Sequence, residues 1–299
     1  MRSLYSLTLP FFALCFTVAQ PASAAREPVV LKPTSNWYVD FGEKRCRLSR
    51  VYGEGEDRHA IFFQQWQPSR GFAFTAAGPS FDRFTSQRKT MVRFEEGAEP
   101  RETTPFVGKS EGIGTAVIYT TLSVDEQPEA DIEGSGFEEL LEKSLPQLDI
   151  ESAKSADQVS LRQRSREVVF QTGPLDEAFT VLNTCTQDLV KDWGLDAEKH
   201  LSATRMVAVE DLPKVVRKIQ RRYPVGALNR GEQAILRVRV MVDANGTAVD
   251  CVINEVTQTK RLESPACRPL MEARYTPALD ANGEPFASYY ATSITYVIP

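Results

Sequence analysis

The segment AILRVRVMVDANGTAVDCVINEV, residues 234–256, has the clearest secondary-structure pattern in the chain. Val238, Val240 and Val242 alternate with Arg237, Arg239 and Met241, and this repeat of two residues is typical of a β-strand with one buried face. The next four residues, DANG at 243–246, favour a tight turn, because Asn and Gly tolerate positive φ. A second run of similar length follows, so the segment is predicted to form a β-hairpin.

Flanking elements extend this hairpin into a small domain. The basic stretch PKVVRKIQRR, residues 213–222, predicts a helix before it. Ser264-Pro265-Ala266 is predicted to open a helix after it, and residues 288–298 to form a final strand after a turn at Gly283. The predicted order is a helix followed by ββαβ.

The N-terminal part of the chain is predicted to be rich in strands. Six short runs bounded by turn residues lie between Asn36 and Thr121: NWYVDF, RCRLSRVY, HAIFFQQW, GFAFTAA, TMVRFEE and TAVIYTT. They favour an antiparallel sheet, although the alternation in the second run slips near Ser49. Two more strands are predicted at Val159–Arg162 and Val168–Phe170, and the polar stretch 151–158 is predicted to be a loop.

A longer helix is predicted from Pro174 to Trp193. Proline suits the first helical position, and apolar residues follow at spacings of three and four. They are Leu175, Phe179, Leu182, Cys185, Leu189 and Trp193. The fold class is therefore predicted as α+β. A β-rich domain of unknown function is expected at 26–200, a charged linker at 201–211 and the ββαβ domain at 212–299.

The N-terminus predicts export. Arg2 precedes an apolar run from Leu4 to Ala19, and small residues of the A-x-A kind follow at 22–25. We expect residues 1–25 to be a cleavable signal peptide that delivers the protein to the periplasm. The alternative is an uncleaved anchor in the inner membrane.

Composition excludes some classes of function. The chain has 299 residues, of which 42% are hydrophobic and 25% charged, as in globular proteins. A formal net charge of -5 provides no attraction to nucleic acid, so no nucleic-acid partner is predicted. With two histidines and no C-x-x-C, the sequence favours neither a metal site nor a cofactor.

The C-terminal pattern resembles the C-terminal domain of TonB. The resemblance rests on Tyr223-Pro224, Ala227, Gly231, the alternating valines, the DANG turn, Cys251, Cys267 and Tyr275-Thr276-Pro277-Ala278. It covers about residues 212–299. In TonB proteins this domain captures a short peptide at the plug of an outer-membrane receptor.

The resemblance implies that a partner adds a strand beside the last strand of the domain. The docking edge would then be Tyr289, Tyr290, Ala291, Thr292, Ser293, Ile294, Thr295 and Tyr296. The competing expectation is an edge covered by the first domain or by a second copy in a homodimer.

The rest of the chain departs from energy-transducing TonB proteins. It has no long proline-rich spacer, and a folded domain is predicted in that place. We therefore expect a periplasmic binding or adaptor protein that recognises a protein or peptide partner, such as an outer-membrane receptor. A membrane-anchored energy transducer is the alternative.

Four cysteines remain after the predicted leader, an even number that suits an oxidising compartment. Three pairings are possible. Proximity favours Cys251–Cys267, between the hairpin and the following helix. Cys46–Cys185 would then join an early strand to the buried face of the long helix.

No catalytic residue is predicted, and we expect a protein that is not an enzyme. Gly108-Lys109-Ser110-Glu111-Gly112 matches the G-x-S-x-G motif of serine hydrolases, which needs a strand before it and a helix after it. Residues 113–121 predict a strand instead. The motif is interpreted as a turn, His59 as structural, and a periplasmic serine hydrolase as the more distant alternative.

Overall fold

The computed structural model describes residues 27–125, 143–222, 225–229, 234–255 and 264–296. The predicted signal peptide and the last two residues of the predicted final strand lie outside these ranges. Within them, no helix has the length and apolar content that a membrane span requires.

Two sheets form the N-terminal part. The first has the strand order β2-β3-β4-β5-β9-β8 and is antiparallel throughout: β2 (Tyr38–Gly42), β3 (Arg45–Tyr52), β4 (His59–Gln65), β5 (Phe72–Ala77), β8 (Phe106–Ser110) and β9 (Gly114–Leu122). The second has the order β1-β11-β10-β6-β7: β1 (Val29–Leu31), β6 (Thr90–Arg93), β7 (Arg101–Thr103), β10 (Gln158–Gln163) and β11 (Arg166–Gln171). All eight predicted strands of this part are present.

Aromatic side chains fill the first core. The Phe63 ring makes edge-on contacts with Phe72, Phe74 and Phe179 at centroid distances of 4.9, 5.0 and 5.5 Å. Phe179 belongs to α2 (Asp176–Asp192), which packs its apolar stripe on the sheet as predicted. The segment predicted as a loop at 151–158 instead contains most of a short helix, α1 (Ile150–Ser155), which packs against α2.

The break in alternation near Ser49 does not interrupt β3. The pairing of β3 with β4 is continuous from Cys46↔Gln65 to Tyr52↔His59. Arg50 therefore shares the core-facing side with Cys46, Leu48 and Tyr52. Its guanidinium is accommodated because it lies over the Trp37 ring and donates to the Thr172 carbonyl oxygen at 2.6 Å.

Both expected disulfides are present. Cys46 in β3 is bonded to Cys185 in α2, across a sequence separation of 139 residues. Cys251 is bonded to Cys267 across 16 residues. Each cross-link joins a strand to the helix that packs on it.

The C-terminal part contains a three-stranded antiparallel sheet in the order β14-β13-β18, with smaller elements around it. Its helices and strands are α3 (Ala197–Leu201), β12 (Ala208–Val209), α4 (Leu212–Gln220), α5 (Val225–Asn229), β13 (Ala234–Val242), β14 (Ala248–Glu255), α6 (Cys267–Met271), β15 (Tyr275–Thr276), β16 (Ala278–Leu279), β17 (Pro285–Phe286) and β18 (Ser288–Tyr296). Val238, Val240 and Val242 face a second core with Leu270 of α6, as the alternation predicts.

The segment predicted as a linker, residues 201–211, is folded against this second core. Ala208 and Val209 in β12 pair with β15, and the Thr204 amide donates to the Leu279 carbonyl oxygen at 2.9 Å. Met206 is buried.

Candidate functional site: the β18 edge and the adjoining groove

Strand β18 lies at one edge of the C-terminal sheet. It pairs with β13 over its full length, from Ser288↔Val242 to Tyr296↔Ala234. No other strand in the described part of the chain pairs with β18. A strand paired on one side directs about half of its main-chain N–H and C=O groups away from its neighbour, and such an edge can accept another extended chain.

Burial differs along this strand. Ser288 and Tyr289 are buried, and the Tyr289 ring packs edge-on against Trp193 at 5.0 Å. Tyr296 is also buried. Between these ends, Ser293 and Thr295 are exposed. Of the residues predicted as a docking edge, Ser293 and Thr295 have the most accessible side chains.

The N-terminal part covers one face of the sheet through two arginines. The Arg237 guanidinium lies over the Trp66 ring at 5.0 Å, and Arg237 donates to the Thr120 carbonyl oxygen and to Ser293 Oγ. Burial lowers the pKa of Arg237 to about 10. Arg239 lies over Trp193 at 4.0 Å. The sequence pattern did not predict this contact, because alternating arginines normally indicate a solvated face.

A groove of about 1840 Å³ runs between the described parts of the two halves. Its walls come from the end of β9 and the following residues 123–125, the loop 67–71, the segment 206–210, the start of α4 and residues 289–291 of β18. The lining includes apolar side chains from both halves, such as Leu122, Met206 and Val216. The start of β18 thus forms one wall of the groove.

Charged side chains also line the groove. Arg70, Lys89 and Arg101 contribute positive charge, and Glu95, Glu99, Glu102, Asp125 and Glu210 contribute negative charge. Arg101 is fixed by donating to the carbonyl oxygens of Ser123 and Val124 at 2.7 and 3.0 Å. A groove lined by both apolar and charged side chains is suited to binding.

The two histidines have structural environments. His200 is fully buried between the Asp196 carbonyl oxygen, 2.6 Å from Nδ1, and Ser288 Oγ, 2.9 Å from Nε2. Because a carbonyl oxygen only accepts, Nδ1 carries the proton and Nε2 accepts from Ser288. His59 is buried in the same way by Asp57 O and Ser80 Oγ, at 2.7 and 2.9 Å. Burial lowers the pKa of both histidines.

These pKa shifts predict a loss of stability in mild acid. The unfolded histidines bind protons near their ordinary pKa of 6.5, whereas the folded ones bind them only at lower pH. Between these values the unfolded chain holds more protons, so stability falls as the pH drops through that window, by up to about 1.4 kcal/mol per pH unit for each histidine. Urea unfolding at a series of pH values measures this slope.

His200→Gln is expected to reduce the slope by about half, because His59 still titrates. The comparison uses the slope of the unfolding free energy against pH, so a difference in absolute stability between the variant and the unmodified chain does not affect it. An unchanged slope in His200→Gln would show that His200 is not held neutral by burial.

The G-x-S-x-G motif does not have hydrolase geometry. Ser110 ends β8, and Gly114 begins β9 after a short turn in which the Ile113 amide donates to the Ser110 carbonyl oxygen at 3.2 Å. The required helix is replaced by a strand. Among the described residues, no three His, Cys, Asp or Glu side chains form a group that could hold a metal ion.

Comparison with known proteins gives a match to the C-terminal part alone. Residues 219–298 match the family model described as Gram-negative bacterial TonB protein C-terminal. The match begins near the end of α4 and includes the whole β14-β13-β18 sheet. No curated protein and no solved structure matches the chain. The chain therefore contains a TonB C-terminal-like segment at residues 219–298.

Proposed function

We propose that this protein is a periplasmic binding or adaptor protein that recognises a protein or peptide partner by strand addition at β18. The edge position of β18 carries the proposal. An outer-membrane receptor is the proposed partner class, because the TonB-like segment belongs to a family linked with outer-membrane transport. Residues 289–296 are the proposed docking edge.

The groove supports a longer contact than the edge alone. A peptide paired with the middle of β18 can continue past Ala291 into the groove, where Leu122 and Met206 offer apolar surface. Main-chain hydrogen bonds would then supply affinity, and the groove would select side chains. On this proposal the N-terminal part contributes to recognition and is more than a spacer.

The contact between the halves favours an adaptor over a force transducer. Arg237 and Arg239 hold the C-terminal sheet on tryptophans of the N-terminal part. A transducer that spans a distance needs an extended connection. The proposed domain division is 26–200 and 212–299, with residues 201–211 packed on the second core.

Thr295→Lys is expected to weaken binding of a receptor-plug peptide about tenfold. Thr295 is exposed on β18, and a lysine on an edge strand opposes pairing with another chain. A tenfold loss corresponds to one or two main-chain hydrogen bonds. Fluorescence anisotropy with synthetic peptides from the N-terminal plug segments of outer-membrane receptors measures the effect.

Val249→Lys is the matched control. Val249 is 60% exposed on β14, at the opposite edge of the same sheet. Equal weakening by both variants, or no binding of any plug peptide, would contradict recognition at β18. Analytical ultracentrifugation of the unmodified chain separately tests the homodimer, in which a second copy occupies the edge.

A further inference from the structure

Helix α4 and its surroundings form a basic surface on an acidic protein. The chain carries a formal net charge of -5, yet residues 212–222 contain five cations and no acid. They are Lys214, Arg217, Lys218, Arg221 and Arg222. A cluster of positive charge on a chain whose net charge is negative indicates a surface suited to an anionic partner.

Three of these cations lie on the outer side of the helix. Val215 and Ile219 are buried in the second core. An α-helix turns about 100° per residue, which places Lys214, Arg217 and Arg221 on the opposite face. These three residues are exposed. The face is therefore open on the outside of the C-terminal part.

Neighbouring acids neutralise little of this charge. Among the described residues, α4 forms an ion pair only through Lys218, whose Nζ lies 3.7 Å from Glu272 Oε2. Asp211 caps the helix by accepting from the Lys214 amide at 3.1 Å. The helix dipole favours cations at the C-terminal end of α4, whereas like charges three and four residues apart repel one another.

Exposed apolar side chains border the same surface. Leu212 and Val216, each 39% exposed, line the groove on another side of α4 and do not belong to this surface. Val225 is 68% exposed and lies three residues after Arg222, a distance of at most about 11 Å along the chain. Met271, beside Glu272 on α6, is 37% exposed. An acidic protein surface would be matched by the cations alone, whereas a bilayer interface takes up both cations and apolar side chains.

We infer that this surface, formed by α4 with Val225 and Met271, docks on the anionic headgroups of a lipid bilayer. The cations would pair with headgroup phosphates, and the apolar side chains would enter the boundary with the acyl chains. The inference is independent of the β18 edge. It would place the adaptor against a membrane with its peptide site in the neighbouring groove.

The test is co-sedimentation of the chain from Arg26 onward with lipid vesicles. This chain keeps every described residue and omits the apolar leader, which would bind lipid by itself. We expect binding to phosphatidylcholine vesicles that contain phosphatidylglycerol, much weaker binding to pure phosphatidylcholine, and a loss of binding at high salt. Each cation near an anionic surface contributes about a fivefold gain in binding.

The triple variant Lys214→Gln, Arg217→Gln, Arg221→Gln is therefore expected to bind about 100-fold more weakly. The matched control Lys44→Gln, Arg58→Gln, Lys109→Gln removes the same charge from exposed positions of the N-terminal part and should bind as the unmodified chain does. Circular dichroism verifies that both variants are folded. Absence of binding to the anionic vesicles, or equal losses in both variants, would overturn the inference.

Discussion

Replacing Cys46 and Cys185 together with alanine is expected to lower the free energy of unfolding of the N-terminal part by about 5 kcal/mol. The bond closes a loop of 139 residues, and in the chain-entropy model a long loop restricts the unfolded chain most. Both cysteines are buried in the first core, so the native packing loses only two sulfur atoms. Guanidinium unfolding followed by circular dichroism measures the loss.

The pair Cys251→Ala, Cys267→Ala is the internal comparison. Its loop of 16 residues predicts a smaller loss of about 3 kcal/mol. If the two cores unfold in separate transitions, each variant should move its own transition, which also tests the proposed domains. A larger effect from the short loop than from the long one would contradict the loop-length argument.

Local pattern was sufficient for much of the fold. The alternation of Val238, Val240 and Val242 predicted the core-facing side of β13, and the three- and four-residue spacing predicted α2. Helix α1 was missed because its residues are mostly polar. The feature of the sequence that could have indicated α1 is its N-cap residue, Asp149. This aspartate accepts hydrogen bonds from the Glu151 amide and Ser152 Oγ at 2.9 and 2.8 Å.

The site could be predicted only in part. A last strand beside a hairpin suggests an edge, and β18 is an edge of the described sheet. The groove is lined by both Leu122 and Tyr290, residues that are distant in sequence. The stacking of Arg237 on Trp66 depends on how two cores pack together. Periodicity describes one element at a time and carries no information on such packing.

Two identical turns in the C-terminal part allow a sharper experiment. The sequence Asp-Ala-Asn-Gly occurs at 243–246 and again at 280–283. In both turns the aspartate Oδ1 accepts two downstream amides at 2.8 to 3.0 Å. The terminal glycines, Gly246 and Gly283, have φ of 78° and 79°. Replacing either glycine with a residue that has a side chain would therefore strain the backbone to the same extent.

The surroundings of the two glycines differ. A Cβ on Gly246 would lie 2.1 Å from the Tyr275 carbonyl oxygen, whereas a Cβ on Gly283 would have nothing within 4 Å. The Tyr275 amide also donates to the Gly246 carbonyl oxygen at 3.2 Å, which keeps the two backbones together. Gly246 is thus required for close approach as well as for positive φ.

Gly246→Ala is expected to destabilise the C-terminal part by about 3 kcal/mol or more, and Gly283→Ala by about 1 to 2 kcal/mol. The smaller figure is the cost of the left-handed conformation for alanine, which both variants share. The remainder is the displacement of Tyr275, whose ring packs on Tyr290 of β18 at 5.8 Å.

Because this displacement reaches the proposed docking strand, Gly246→Ala should also weaken peptide binding while Gly283→Ala leaves it unchanged. Equal unfolding free energies for the two variants would show that the hairpin turn does not depend on its contact with Tyr275.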